Sequence, residues 1–426
     1  MQNETNKKKT ILFVMPRLPF PATSGRKTSL YHYCRILSKD LGYRLVVTAF
    51  LEGGDDPREK PDFIDRLVVL PSSSTKSKVS NIIQHSFIKK DWPMQVALYW
   101  NPKAKEIVNC VFQEEKPFAV IGDMVRSTEY IKDLPTYRIA DLDDRISLRY
   151  QRQLDTDIDG INPYGAYINA VPSVMRKPLL NTSVKTKVVK NEINLLHKYE
   201  LKMGQVCDRT IFVATKEAKQ FNKELKKEKA TAVPIGVDVD FFQPRHVKVK
   251  KNVIGFLGAM SVAHNEFAAR HFIQDILPTV LKKVPDAKLM VIGGGANEQL
   301  RSLASEHVVF TGRVPDVRDY LEKCKVFVCP MTFGSGIKTK NLEAMSMGLP
   351  IVTTSIGAEN IDLANSKEWF VTDNDVEFAD RVTDILHNDH LREEMGCRAA
   401  AYIRENWTWK AAEKEFFNIL ESVCEE

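Results

Sequence analysis

The chain has 426 residues, 43% of them hydrophobic and 27% charged, with a formal net charge of +6. This is ordinary globular composition and more chain than one hydrophobic core usually serves, so two domains are expected. The mild positive charge suits a phosphorylated ligand or an anionic surface; with no arginine-rich stripe and no aromatic–basic interleaving, no nucleic-acid partner is expected.

In chain order, the polar start MQNETNKKKT runs into ILFVM, which is too short for a signal h-region or a membrane span and reads as a first strand, Thr10–Met15. The loop PRLPFPATSG leads to an amphipathic helix over Arg26 to Leu41. Strands are expected at Arg44–Phe50 and Arg66–Leu70, a helix at Pro102–Glu114, then strands at Phe118–Gly122, Tyr137–Asp141 and Thr210–Ala214, the last followed by a helix. Unbroken apolar runs separated by helices indicate a parallel sheet covered on both faces. Residues 153–204 break this pattern. From 174 to 204 the chain is helix-prone and basic, with Arg176, Lys177, Lys185, Lys187, Lys190, Lys198 and Lys202 against Glu192 and Glu200. The direct reading is a solvated helical face; the alternative is peripheral contact with an anionic membrane or an acceptor.

Alternation stops at VPIGVDVDFFQPRHVKVKKN, Val233–Asn252, whose prolines, glycine and basic tail suit a linker. It resumes with strands in VIGFLG (Val253–Gly258), KLMVIGGG (Lys288–Gly295), VVFTG (Val308–Gly312), KVFVCP (Lys325–Pro330) and PIVTT (Pro350–Thr354), with a helix over Glu266–Lys283. Two doubly wound α/β domains follow, and in such sheets ligands sit at the carboxyl ends of the strands. The seven cysteines have no CxxC spacing, which suits free thiols in a reducing cytoplasm rather than metal ligation.

The chemistry concentrates in FGSGIKTKNLEAMSMGLPIVTT, Phe333–Thr354. Gly334 and Gly336 permit a tight turn that brings backbone N–H groups toward an anion. A helix starting near Lys338 points its positive end into the same space, and Lys338 and Lys340 add charge. These features suit a diphosphate. Glu343, one turn into the helix, would repel phosphate but can accept hydrogen bonds from a neighbouring ribose diol. A purely structural strand-to-helix turn is the alternative.

PMTFGSGIKTKNLEAMSMGLPIVTTSIGAENI resembles the donor-binding signature of retaining glycosyltransferases of family 4, which have the GT-B fold. TILFVMPRLPFPATSGRKTSLYHYCRILS resembles the first βα unit of their acceptor domain, YRIADLDDRIS a stretch of one bacterial subgroup, and VPIGVDVDFFQP the interdomain linker. The stretch from FLGAM to FTGRVPDVRDYLEKCKVFVCP is similar to the donor domain, and ENWTWKAAEKEFFNIL to a closing helix that crosses back onto the first domain. The resemblance covers most of the chain except roughly 153–200. It implies two Rossmann-like domains facing each other across a cleft. Residues 1–235 with 408–426 would bind acceptor, and 236–407 would bind the nucleotide sugar. It further implies a cytoplasmic retaining hexosyltransferase, at the inner face of the plasma membrane, acting on a glycan or lipid-linked glycan in cell-surface polysaccharide synthesis. A sugar-nucleotide epimerase of the same architecture and a non-catalytic nucleotide-sugar-binding partner subunit are the alternatives.

Residue by residue, Glu343 matches the family acid that binds the donor ribose, and Ser335 stands where a second acid is usual. Backbone N–H groups at Ser335, Gly336 and Ile337 are then expected to hold the donor sugar. Met260 and Asn265 stand where many relatives place cations, so Lys338 becomes the main charge on the leaving diphosphate, with Arg313 a second. Gly25, with Arg26 or Lys27, matches the acceptor-domain loop that approaches the phosphates. Many relatives use a first-domain histidine as well; His32, His85 and His197 lack the matching context. Asp143, Asp144 and Arg126 follow predicted strands at the right edge, and Asp143 and Arg126 join Lys338 as catalytic candidates. No metal or other cofactor is expected: Asp141-Leu-Asp143 continues a strand, DTDIDG (155–160) lacks the glutamate that closes a calcium loop, and IGGG (292–295) lacks dinucleotide-fingerprint spacing.

Overall fold

The computed structural model describes residues 8–22, 25–156, 181–245, 252–334, 336–361 and 369–425. The chain divides into two compact units, one running to Ile235 and taking back the chain from Trp409, the other centred on Gly236–Thr408.

The first unit is built on seven parallel strands: β1 (Thr10–Met15), β2 (Arg44–Ala49), β3 (Arg66–Val69), β4 (Ala119–Asp123), β5 (Tyr137–Asp143), β6 (Arg209–Phe212) and β7 (Ala230–Ala232). Their order is β3-β2-β1-β4-β5-β6-β7. The chain thus winds outward from β1 in one direction and from β4 in the other, which makes the β1/β4 boundary a topological switch point. The runs ILFVM and LVVTA are wholly buried, as strands covered on both faces must be. Leu12, Val14, Val46 and Val120 pack with Ala104, Val108 and Phe112 of the helix Pro102–Glu115. The helix Trp409–Glu425 docks here too, burying Ala412, Phe416 and Leu420, with Trp409 stacked on His32 at 4.2 Å.

The basic segment has the solvated helical face of its direct reading, but its two acids and Lys185 lie inside. It forms a helix, Thr182–Val206, while the rest of 174–204 lies outside the described residues. Lys187, Lys190, Lys198 and Lys202 are exposed, but Glu192 and Glu200 are fully buried and Lys185 is buried. The two acids are anchors. Glu192 accepts from the backbone N–H of Met94 (2.7 Å) and Gln95 (3.2 Å), at the start of the helix Met94–Tyr99. Glu200 accepts from Arg145 Nε (2.9 Å) and from both N–H and hydroxyl of Ser147.

The second unit has six parallel strands: β8 (Val253–Leu257), β9 (Lys288–Ile292), β10 (Val308–Gly312), β11 (Val326–Cys329), β12 (Ile351–Thr353) and β13 (Trp369–Val371). The order β10-β9-β8-β11-β12-β13 puts its switch point between β8 and β11. The expected helix over Glu266–Lys283 begins earlier, at Ala263, and passes through a π-helical turn at Phe272–Ile276. β13 and the helices Asp375–His387 and Asp389–Asn406 complete the unit.

Candidate functional site

In the second unit, the glycine-rich loop leaves the carboxyl end of β11 and enters the helix Thr339–Ser346, beside the switch point. Gly334 has φ +128° and Gly336 φ +70°, conformations in which a side chain would be strained. A Cβ on Gly334 would also lie 3.8 Å from Lys338 Cε. Ser335 lies outside the described residues; Ile337 follows as a half-buried residue. Lys338 is buried at the head of the helix and turns its ammonium back onto the loop, donating to the Gly336 carbonyl at 2.7 Å.

Lys340 reaches across the switch point. Its ammonium donates to Asn265 Oδ1 and lies 4.8 Å from the Phe256 ring centre, on β8. Asn265, buried at the first turn of its helix, returns Nδ2–H to the Ala259 carbonyl at 3.0 Å. Met260 is buried and donates its N–H to the Gly294 carbonyl at 2.8 Å. A cation is therefore present beside Asn265, delivered by the β11 helix rather than by the loop after β8. Burial lowers the Lys340 pKa, with Cys329 and Glu343 opposing. Glu343, half-buried one turn on, is pushed up to about 7 by desolvation, with Lys340 opposing. Arg313 is exposed and its backbone lies against the Gly294 turn, two strands away from β8. That turn demands glycine, since a Cβ on Gly293 would sit 2.0 Å from the Gly258 carbonyl oxygen.

In the first unit, the switch point carries a charge cluster. Asp123 and Asp141 are register partners at the carboxyl ends of β4 and β5, so they project from the same side of the sheet. Asp143 follows two residues on, after a register shift against β6, with φ +65°. Three carboxylates would repel one another there. Arg26, in the helix Gly25–Arg35 that follows β1, compensates them: Nε donates to Asp123 at 3.0 Å, and its two terminal nitrogens reach Asp143 at 2.9 Å and Asp141 at 2.7 Å. Asp123 and Asp141 are buried, whereas the Asp143 side chain keeps 22% of its surface exposed. One guanidinium cannot balance three charges. Burial raises the pKa of Asp141 and of Asp143 above the ordinary carboxylate range, Arg26 opposes, and the neighbouring acids add to the rise.

Both members of the basic pair after Gly25 are engaged by carboxylates. The Arg26 guanidinium is held by three carboxylates, and the buried Lys27 ammonium bonds Asp55 at 2.6 Å. Both positive charges are turned inward, Arg26 toward the acids at the sheet edge and Lys27 toward Asp55 in the loop after β2. Arg126 stands apart from the cluster, donating to Gln95 Oε1 at 2.9 Å and lying over the Tyr99 ring at 5.2 Å. Asp144 pairs with Arg149. His32 stacks on Trp409 and His85 on Trp92, while His197 Nδ1 lies 3.0 Å from Arg145. Sequence reading passed over Asp123; its one signal was an acid closing the apolar run AVIG. The reach of Lys340 to Asn265 had no signal, because the two lie on different βα units.

Residues 251–388 match the family model described as "Glycosyl transferases group 1". The phosphatidyl-myo-inositol mannosyltransferase of Mycobacterium tuberculosis (strain H37Rv) is 27% identical over 223 residues, 49% of this chain and 58% of that protein. A GDP-mannose-dependent monoacylated alpha-(1-6)-phosphatidylinositol monomannoside mannosyltransferase of Corynebacterium glutamicum is 29% identical over 211 residues, 45% of this chain and 55% of that protein. The chain thus spans little more than half the length of these curated relatives. Among solved structures, sucrose-phosphate synthase from Thermosynechococcus elongatus aligns with TM-score 0.67 at 13% identity, covering 98% of this chain and 99% of that one. Anabaena HepE in complex with UDP and glucose aligns with TM-score 0.66 at 12% identity, covering 97% and 100%. WaaG, a glycosyltransferase involved in lipopolysaccharide biosynthesis, aligns with TM-score 0.63 at 15% identity, covering 96% and 99%. At these identities the likeness is one of fold, and the fold is α/β of the GT-B type.

Proposed function

We propose that the chain is a retaining glycosyltransferase that moves a sugar from a nucleotide-diphosphate sugar to a glycan or lipid-linked glycan in cell-surface polysaccharide synthesis. The observation that carries this reading is the arrangement at the β8/β11 switch point. Two glycines in left-handed backbone, two lysines and one carboxylate converge where such sheets bind ligands. The group 1 match includes this loop, and the phosphoinositide mannosyltransferases support a lipid-linked acceptor.

In the proposed reaction the bond from the anomeric carbon to the diphosphate oxygen breaks, and the electron pair leaves with the nucleoside diphosphate. The acceptor hydroxyl oxygen forms the new bond on the same face. What limits the step is negative charge growing on the leaving oxygen. Lys338, Lys340 and the amides from Gly336 into the helix are the groups assigned to stabilise it, with the Lys338 ammonium leaving the Gly336 carbonyl for the diphosphate. Glu343 accepts hydrogen bonds from the donor ribose. In the first unit Asp143 is the candidate to take the acceptor proton, being the partly exposed member of the cluster and titrating nearer neutrality than an ordinary aspartate. Arg126, bonded to Gln95 and lying over the Tyr99 ring, is given no step in this scheme. The lysines supply the charge that a metal would, so turnover is expected to survive EDTA.

A thermal-shift screen against UDP, GDP, ADP and CMP sugars identifies the donor, since a ligand at a hundred times its Kd adds about 2.7 kcal/mol of stability. Incubation of that donor with lipid-linked and free glycans then reads nucleotide release and the anomeric configuration of the product by NMR. Transfer with retention is the expected result. Donor conversion without acceptor, or binding without turnover across the acceptor panel, would sink the proposal.

A further inference from the structure

After β3 the chain TKSKVSNIIQHSFIKK, residues 75–90, carries four lysines and no acid. It forms one continuous helix whose second part, Ile82–Lys89, has π geometry. One side is fastened to the first unit. Asn81 Nδ2 donates to the carbonyls of Ala97 (3.2 Å) and Trp100 (3.3 Å), the His85 ring stacks on Trp92 at 3.9 Å, and the Ser86 carbonyl accepts from Asn191. The opposite side is apolar and open: Ile83 is 51% exposed, Phe87 40% and Ile88 72%. A π turn takes about five residues, so Ile83 and Ile88 stand one above the other with Phe87 beside them. With Val79 and Ser80, Ile83 and Ile88 line a depression on this face. No other stretch of six residues among those described carries three exposed large apolar side chains.

We propose that this face is a docking surface for an anionic lipid membrane. Its composition selects that occupant over a protein groove: a short apolar ridge is flanked by exposed Lys76, Lys89 and Lys90, residues 75–90 hold no acid, and the nearest one in the chain, Asp91, is bonded to the His85 ring on the fastened side. Long lysine stems let the ammonium groups reach headgroups while the ridge enters the acyl boundary. The Thr182–Val206 helix, also lysine-rich, shows a solvated stripe with only Val184 apolar and exposed, so it offers charge without an apolar ridge. The helix starts at the carboxyl end of β3, the same edge of the sheet as Asp123 and Asp143. β3 lies three strand spacings from Asp123 on β4 and four from Asp143 on β5, roughly 14 and 19 Å along that edge. The surface goes beyond the transferase reading and does not depend on it.

The test is co-sedimentation of the full chain with vesicles of phosphatidylcholine alone and with added phosphatidylglycerol. Binding is expected only to the second, weakening with salt. Ile83→Ser/Ile88→Ser should lose at least about tenfold in partitioning, the scale set by removing two buried alkyl side chains, with the melting temperature unchanged. Lys89→Gln/Lys90→Gln should bind more weakly, while Lys187→Gln/Lys190→Gln should bind as the unmodified chain does. Equal binding to both vesicles, or retention of binding by the isoleucine variant, overturns the proposal. So does a dimer in size-exclusion chromatography that the isoleucine variant dissolves, since the face would then cover a second copy of the chain.

Discussion

Replacing Arg26 by methionine tests the first-unit cluster most directly. Methionine keeps much of the stem volume and removes the guanidinium that Asp123, Asp141 and Asp143 share. Removing one partner of a buried ion pair costs about 3–5 kcal/mol. Little of that is recovered from solvent, because Asp123 is 0% and Asp141 1% exposed at the side chain. The cost must also depend on pH. Asp141 and Asp143 already titrate above their unfolded value, so what they contribute to stability is fully present below about pH 4 and is lost as pH rises toward neutrality. In the variant the main opposition to that rise is gone, and each further pKa unit costs about 1.4 kcal/mol. For a unit of this size each kcal/mol moves Tm by about 2–4 °C, so calorimetry should place the first unit's transition roughly 10 °C lower at pH 8. The gap should shrink markedly near pH 5. Arg26→Met/Asp143→Asn should recover part of the loss at pH 8. An unchanged Tm at pH 8, or an equal depression at both pH values, would refute the account of three acids balanced by one cation.

Glu343 titrates near 7 in the free protein, and ribose hydroxyls donate to its ionised form, so nucleotide-sugar affinity should rise as pH increases from 6 to 8. Calorimetric titration with the diester donor, which has no proton to lose in this range, should show that slope, and Glu343→Gln should flatten it. Lys338→Ala and Lys340→Met should each lower kcat by about 10²–10³ with the chain still folded, the usual cost of one preorganised donor; an effect confined to KM would count against a role on the leaving group. Gly334→Ala, forced to φ +128°, should destabilise the loop by about 1–2 kcal/mol and weaken donor binding while leaving the first unit's melting untouched.

The alternation of strand and helix was legible because it needs only local information. β1 and β8 are short unbroken apolar runs, and the 308–312 strand has the bounds its pattern implies. The glycine-rich loop was legible for a related reason: glycines, lysines and one acid lie within a few turns of chain, so spacing alone brings them together. Glu192 and Glu200 were misplaced by the same local logic. A helix with many lysines looks solvated, and nothing in its periodicity says that Met94 and Ser147, far off in the chain, will supply the donors that hold two buried carboxylates. The Arg26 cluster is likewise a product of strand order. Only when β1, β4 and β5 lie side by side do one arginine and three aspartates meet, and only then does the charge of Arg26 point inward. Lys340 became a neighbour of Asn265 because β8 and β11 are adjacent strands although about seventy residues separate them in the chain. Composition and periodicity thus determined two parallel α/β units and a glycine- and lysine-rich turn between strand and helix. Which charges face a ligand, and which are consumed by other charges, was decided by strand order, because electrostatic interactions depend on distance in space and not along the chain.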